Sequence, residues 1–286
     1  MQCTSPQNYN GNGIYMHHVP PCNNCLACLL NRQHQWAARL TLEGMTHSKA
    51  QFITLTYDND NLTVDHNQLK RDFQLFIKRY SKRTGTQPRY YACLEFGNRF
   101  NRPHWHAIFF GADTKLQRRT PKRSDNKNLI IYVDPNIEDT WQNGSTYVKA
   151  CDQSNLMMSI TQYVAGYILK GKWNDKGATK GERALMSRTP YIGQPAVTLL
   201  SEKYLTAKGA RRLAKLGTIP NYFYHSDRRY QMPPRIRKDV AAYLGYPLLA
   251  IDNEKTQNQN TATSLSNKIA KSIRHRRRIN VTTQTG

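Results

Sequence analysis

Two histidines separated by one residue, His104 and His106, sit in the stretch RPHWHAIFFG. The residues around them read as a strand, so both imidazoles share one face and Trp105 points the other way, into the core. Their Cα atoms would lie about 6.5–7 Å apart, from a rise of about 3.3 Å per residue. Imidazole nitrogens at that spacing can converge on one cation, each at about 2.1 Å. The preceding run ACLEFG supplies a carboxylate. Glu95 shares a strand face with Cys93, and a suitable hairpin register puts it beside the histidines. Two imidazoles and one carboxylate leave coordination positions open for substrate oxygens, as a catalytic site requires. The competing reading is a pair of surface or hydrogen-bonded histidines.

A second constellation lies in QYVAGYILKGK. Tyr163 and Tyr167 stand at i, i+4 on a helix, and Lys170 follows three residues later on nearly the same side. An aromatic stripe at this spacing is commonly core, but Val164 and Ile168 can make the core contact on an adjacent face. A phenol with a pKa of about 10 is a weak nucleophile at neutral pH. A nearby ammonium and a metal-polarised phosphate relieve that handicap. Attack on a DNA phosphodiester would give a phosphotyrosine and a free 3′-hydroxyl. Such a transesterification retains the bond energy and can be reversed, and a second phenol one turn away can cut again once the first is consumed.

A third cluster is C-x2-C-x2-C at Cys22, Cys25 and Cys28, with Cys3 upstream as a fourth candidate. Thiolates at this spacing suit structural Zn2+. Iron–sulfur ligation is the rival, yet no fourth cysteine followed by proline continues the run. Three reduced cysteines at a loop-to-helix junction are the remaining alternative. Cys93 and Cys151 read as ordinary buried thiols.

The elements that must position these residues follow from periodicity. A helix is expected over CLLNRQHQWAARLTLEG, with Leu29, Leu30, Trp36 and Leu40 on one side and Arg39 and Glu43 at i, i+4. AQFITLTYD is a strand, and HNQLKRDFQLFIKRYSKRTG is an amphipathic helix stopped by Gly85. RYYACLEF and HWHAIFF form a hairpin. A polar, basic surface insertion is expected over 112–128, then strand LIIYV, a short helix PNIEDTWQNG ending at Gly144, and strand STYVKA. SNLMMSITQYVAGYILKG is a helix, as are SEKYLTAKGARRLAKLG and PPRIRKDVAAYLG. This order predicts an α+β fold: one mostly antiparallel sheet flanked by helices, with a smaller basic helical region after it. The expected divisions are a cysteine-rich segment 1–30, a domain 31–180, a basic helical region 181–250 and a disordered basic tail 251–286.

Composition narrows the partner. The 286 residues carry 42 Lys+Arg against 19 Asp+Glu, a net charge of +23, together with 17 Tyr and 8 Phe. Such an excess points to a polyanion, and the aromatic rings add stacking faces for nucleic acid. Near the tail, Arg276, Arg277 and Arg278 suit a phosphate-binding arm. No apolar run reaches the roughly 20 residues that span a bilayer, and no secretory signal opens the chain, so a cytosolic protein without membrane partners is expected.

In order, FITLTYD, ACLEFG with RPHWHAIFFG, and YVAGYILK resemble the three motifs of the HUH-type rolling-circle replication initiators. Within that class the chain is similar to the initiators of microvirus (gokushovirus-like) bacteriophages, which also carry PC-x2-C-x2-C before a Trp/Arg helix. The likeness covers roughly 22–193, and LMSRTPYIG is part of it. It implies metal-dependent, site-specific nicking and joining of single-stranded DNA through a 5′-phosphotyrosine. By the same resemblance, Glu95, His104 and His106 would hold Mg2+ or Mn2+. Tyr163 and Tyr167 would be the nucleophiles, and Lys170 would steady the scissile phosphate or the leaving oxygen. Thr54, Thr56 and Arg102 would support the site or contact DNA. The implied partners are the single-stranded origin of a phage genome and a host helicase and polymerase, in the host bacterial cytoplasm. A non-catalytic single-stranded DNA-binding or packaging protein is the alternative, and a zinc hydrolase built on His104 and His106 is a third.

Overall fold

The computed structural model describes residues 21–23, 25–97, 100–112, 115–119, 131–151 and 184–245. The architecture is α+β, as the sequence predicts. Helix α1 (Leu26–Gly44) is followed by β1 (Ala50–Thr56), α2 (His66–Thr84), β2 (Arg89–Phe96) and β3 (Pro103–Phe110). Then come β4 (Gln117–Arg119), β5 (Ile131–Val133), α3 (Pro135–Trp141), β6 (Thr146–Cys151) and β7 (Leu185–Met186). Two short helices, α4 (Ala196–Leu205) and α5 (Ala207–Leu216), precede a hairpin of β8 (Tyr222–His225) and β9 (Arg228–Gln231), and α6 (Pro234–Tyr243) follows. Among the described residues no helix is long and apolar enough to cross a membrane.

The central sheet has the order β6-β1-β3-β2-β7, with every pairing antiparallel. The histidine strand β3 therefore lies in the middle, with hydrogen-bonded neighbours on both sides. One sheet face is packed by α2 and α3. Asp65 caps α2 by accepting from Asn67 N, and Gly85 ends it at φ 69°, a conformation glycine adopts without Cβ strain. The apolar stripe of α2, Leu69, Phe73, Phe76, Ile77 and Tyr80, meets Ile53, Leu55, Trp105 and Phe109 of the sheet and Trp141 of α3. Trp105 is fully buried and its ring stacks at a tilt on Phe73, 4.7 Å between centroids.

The other sheet face is covered over part of its length by α1. Leu40 and Trp36 pack against Ala50, Tyr91, Ile108 and Phe110, and the Trp36 and Tyr91 rings lie 4.7 Å apart. The opposite side of α1, Ala38 and Leu42, joins a core with Val197, Leu200, Leu213, Phe223, Ile236 and Val240. Helix α1 thus bridges the sheet and the C-terminal elements. A buried carboxylate ties the three together. Glu43 is fully buried and accepts from Arg89 Nε at 2.7 Å and from the Gly193 amide at 2.6 Å, with His47 Nε2 at 3.3 Å. Gly193 sits at φ 87°, and a Cβ there would press on the Arg39 carbonyl, so only glycine lets its amide reach the carboxylate.

Several expectations are corrected here. Glu43 takes Arg89 and His47 as its partners; Arg39 instead donates to the Ile192 carbonyl at 3.0 Å and stacks over Trp36. The single helix expected over 201–217 is two, because Thr206 leaves the helical region at ψ 155° and its hydroxyl caps α5 by accepting from Gly209 N. The polar segment after β3 contributes β4, paired with β5. Helix α3 ends at Gln142 in a left-handed conformation, φ 58°, two residues before Gly144. The C-terminal region also carries the β8–β9 hairpin, turned at Ser226 and Asp227, both with positive φ. The helix expected over 154–171 and the tail 251–286 lie outside the described residues.

Candidate functional site

Register assembles the site. Across β3, His104 stands opposite Thr56 of β1 and Glu95 of β2, while His106 stands opposite Thr54 and Cys93. Residues directly opposite one another point to the same side, so Thr54, Thr56, Cys93, Glu95, His104 and His106 share one face. Helix α1 packs on the Ala50–Phe110 end of that face. Tyr147 and Lys149 of β6, opposite Thr54 and Phe52, extend the same face and are exposed. The sequence reading passed over both, although the alternation in TYVKAC places them there.

His106 is held on three sides. Its Nε2 lies 3.0 Å from Glu95 Oε2, and its Nδ1 lies 3.1 Å from Thr54 Oγ1. Its ring stacks on Phe52 at 5.9 Å with an interplanar angle of 8°. Glu95 therefore reaches diagonally along the sheet to His106, one row away from the histidine directly opposite it. The Thr54 hydroxyl can donate to Nδ1 or accept from it. In the second arrangement Nδ1 carries the proton and the Nε2 lone pair is available to a cation.

His104 is half-buried, with its ring centroid 6.5 Å from that of His106. Its Nδ1 is buried and has no hydrogen-bond partner. Burial pushes its pKa down, and the charges of His106 and Arg102 push the same way against the pull of Glu95, so the imidazole is held neutral with a lone pair to offer. Gly97 borders it: a Cβ there would stand 3.2 Å from His104 Nε2. The donor set is two imidazoles and one carboxylate on a half-open face, with one buried ring nitrogen unsatisfied. That chemistry fits a divalent cation with positions left for phosphate oxygens.

The other predicted residues divide. Thr54 reaches the histidines. Thr56 shares their face, but its hydroxyl donates to the Ser145 carbonyl at 3.1 Å and secures β6. Arg102 donates to Asn59 Oδ1 and to the Tyr57 carbonyl, each at 2.8 Å, so it staples the β2–β3 turn to the end of β1. In that turn Phe100 is 73% exposed, a stacking surface beside the histidine strand that the sequence reading did not single out. Cys22, Cys25 and Cys28 come together at the start of α1; among the described residues they are the group whose ligand atoms all lie within 4.8 Å of one another. Tyr163, Tyr167, Lys170, Cys3, Arg276, Arg277 and Arg278 lie outside the described residues.

Comparisons with known proteins bear on the same segment. Residues 50–172 match the family model of the replication-associated protein ORF2. The chain is 29% identical over 156 residues to replication-associated protein ORF4 of Chlamydia phage 1, a match covering 52% of this chain and 38% of that one. It is 30% identical over 161 residues to replication-associated protein VP4 of Bdellovibrio phage phiMH2K, covering 52% and 48%. It is 33% identical over 99 residues to replication-associated protein ORF2 of Spiroplasma virus 4, covering 32% and 31%. The matched stretch thus spans less than half the length of each of these relatives. No solved structure matches the chain. Residues 50–172 contain β1, β2 and β3 with the whole histidine face, and over that segment the chain belongs to the replication-associated protein ORF2 family.

Proposed function

We propose that this protein takes part in replicating a phage genome as a metal-dependent enzyme that nicks and rejoins single-stranded DNA to start rolling-circle replication. The observation that carries the reading is His104 and His106 on the central strand, facing the same side as Glu95, with Glu95 in contact with His106. Family membership over 50–172 and a net charge of +23 support it.

Glu95, His104 and His106 would hold Mg2+ or Mn2+, and that ion would withdraw charge from the scissile phosphate. Tyr163 or Tyr167 supplies the nucleophile. The phenolic oxygen bonds to phosphorus, its proton passes to solvent or a basic neighbour, and the P–O3′ bond breaks to leave a 3′-hydroxyl. The product strand carries its 5′-phosphate on tyrosine, and attack by a 3′-hydroxyl reverses the step. Lys170 would balance charge on the phosphate or the leaving oxygen. Thr54 orients His106, and Phe100, Tyr147 and Lys149 offer stacking and ionic contacts to the strand. The single-stranded origin is the substrate, a host helicase and polymerase would extend the freed 3′-end, and the host bacterial cytoplasm is where they would meet.

The test uses single-stranded oligonucleotides tiled over the genome that encodes the chain, with Mn2+. A covalent protein–DNA adduct that survives denaturation is expected, and it should vanish with chelator or with Tyr163→Phe plus Tyr167→Phe. DNA binding without adduct would make the protein a binding or packaging factor. Cleavage that persists in the double tyrosine variant would make it a hydrolase.

A further inference from the structure

The function above leaves Cys22, Cys25 and Cys28 unused. All three sulfurs lie within 4.8 Å of one another, and Cys22 Sγ is 3.9 Å from Cys28 Sγ. None of the three is in a disulfide. Two thiolates on one tetrahedral zinc, each at about 2.3 Å, stand about 3.8 Å apart by geometry. The observed spacing is that of ligands around a shared ion, far longer than an S–S bond of about 2.0 Å.

The backbone is shaped for the same purpose. Asn23 takes a left-handed conformation, φ 60°, which folds the chain back between Cys22 and Cys25. The Cys25 amide donates to Cys22 Sγ at 3.2 Å, a hydrogen bond that favours the thiolate. Cys25 is the N-cap of α1 and makes no side-chain cap bond, and Cys28 is buried in the first helical turn. The positive end of the helix lowers the cost of gathering negative sulfur there.

We propose that Cys22, Cys25 and Cys28 bind one Zn2+ that fixes the chain to the N-terminus of α1. Helix α1 carries Trp36 and Leu40 onto the sheet face that holds the histidines, so the metal acts structurally on the scaffold of that face. Structural zinc takes four ligands, and Cys3 is the natural fourth. The inference does not depend on the nicking reaction, and its readouts are separate.

The experiment measures metal in the full-length protein purified without a metal-affinity step. About one zinc per chain is expected. Exchange with Co2+ should give thiolate charge-transfer absorption and the red d–d bands of tetrahedral cobalt. Cys25→Ser should retain at least 10-fold less zinc against a fixed competing chelator, Cys3→Ser should weaken retention likewise, and His106→Ala should retain zinc as the parent does. Should Cys25→Ser not fold, a chelator titration of the parent replaces it, in which zinc loss must accompany a fall in Tm. A metal-free preparation whose Tm ignores both Zn2+ and chelator overturns the proposal. Iron with sulfide in place of zinc overturns it too.

Discussion

Thr54 and His106, 52 positions apart in the chain, meet through Oγ1 and Nδ1 at 3.1 Å. The contact sets the orientation of the ring whose other nitrogen faces Glu95. Outer partners of this kind tune metal affinity by about 10–100-fold. Thr54→Val keeps the shape of the side chain and removes the oxygen. It should raise the Mn2+ concentration needed for half-maximal adduct formation by about 10-fold or more, and Thr54→Ser should restore it. An unchanged Mn2+ dependence in Thr54→Val would assign the contact to stability alone.

Glu95→Gln preserves size and one acceptor but removes the charge a cation requires. Together with His104→Ala and His106→Ala, it should lower the rate of adduct formation by at least about 100-fold, the scale of a few kcal/mol of lost charge stabilisation. Affinity for single-stranded DNA at moderate salt should stay within a few-fold of the parent, since phosphate contacts elsewhere supply most of it. Parallel loss of binding and cleavage would point to unfolding, and circular dichroism separates the two.

Glu43 is the group through which acid should act on stability. Burial alone would push its carboxyl up, but bonds from His47, Arg89 and the Gly193 amide outweigh that and hold it below the ordinary value of 4.5. A carboxyl whose pKa is lower folded than unfolded contributes stability above the unfolded value and loses it as pH falls toward the folded one. Glu43→Gln should therefore destabilise the protein at pH 7 by about 3–5 kcal/mol, because it leaves Arg89 half-buried without its countercharge. Urea midpoints of parent and variant should draw together below about pH 4.5. A gap that stays constant from pH 7 to pH 4 would remove Glu43 as the acid-sensitive group.

Trp105 stands between the two histidines in sequence and on the opposite face in space. It is fully buried, packs on Phe73, and its Nε1 donates to the Tyr57 hydroxyl at 3.4 Å. Trp105→Ala should cost about 3–5 kcal/mol of stability by denaturant unfolding. Trp105→Phe should cost less than half of that. A cost near zero for Trp105→Ala would place the indole outside the core.

The parts of the fold that were legible are those in which local pattern and tertiary environment agree. Strand β2 runs over Arg89–Phe96 as its alternation predicts, and α2 shows its five-residue stripe and glycine stop because each apolar residue faces the sheet. The β8–β9 hairpin was not legible: YFYHSDRRYQ mixes charge with aromatics, and its pairing depends on Phe223 and Tyr230 reaching the α1 core. The break at Thr206 was hidden by strong helix formers on both sides, and a single capping threonine decided it. Arg102 read as a phosphate contact, because nothing near it in sequence reveals the Tyr57 carbonyl and Asn59 that receive its donors.

The sequence by itself determined that His104 and His106 share a face, that Trp105 opposes them, and that Glu95 and Cys93 share a face on the preceding strand. These follow from the two-residue period of an extended backbone, whatever lies beside it. It also determined the basic charge that suits a polyanion. Tertiary structure decided which partners those side chains meet. Strand pairing brought Thr54 to one nitrogen of His106 and Glu95 to the other. The packing of α1 between the sheet and the C-terminal elements gave Glu43 a guanidinium 46 residues away and an amide 150 residues away. Hydrogen bonds of that reach depend on register and helix docking, which minimise energy over the whole chain and leave no mark in any local window.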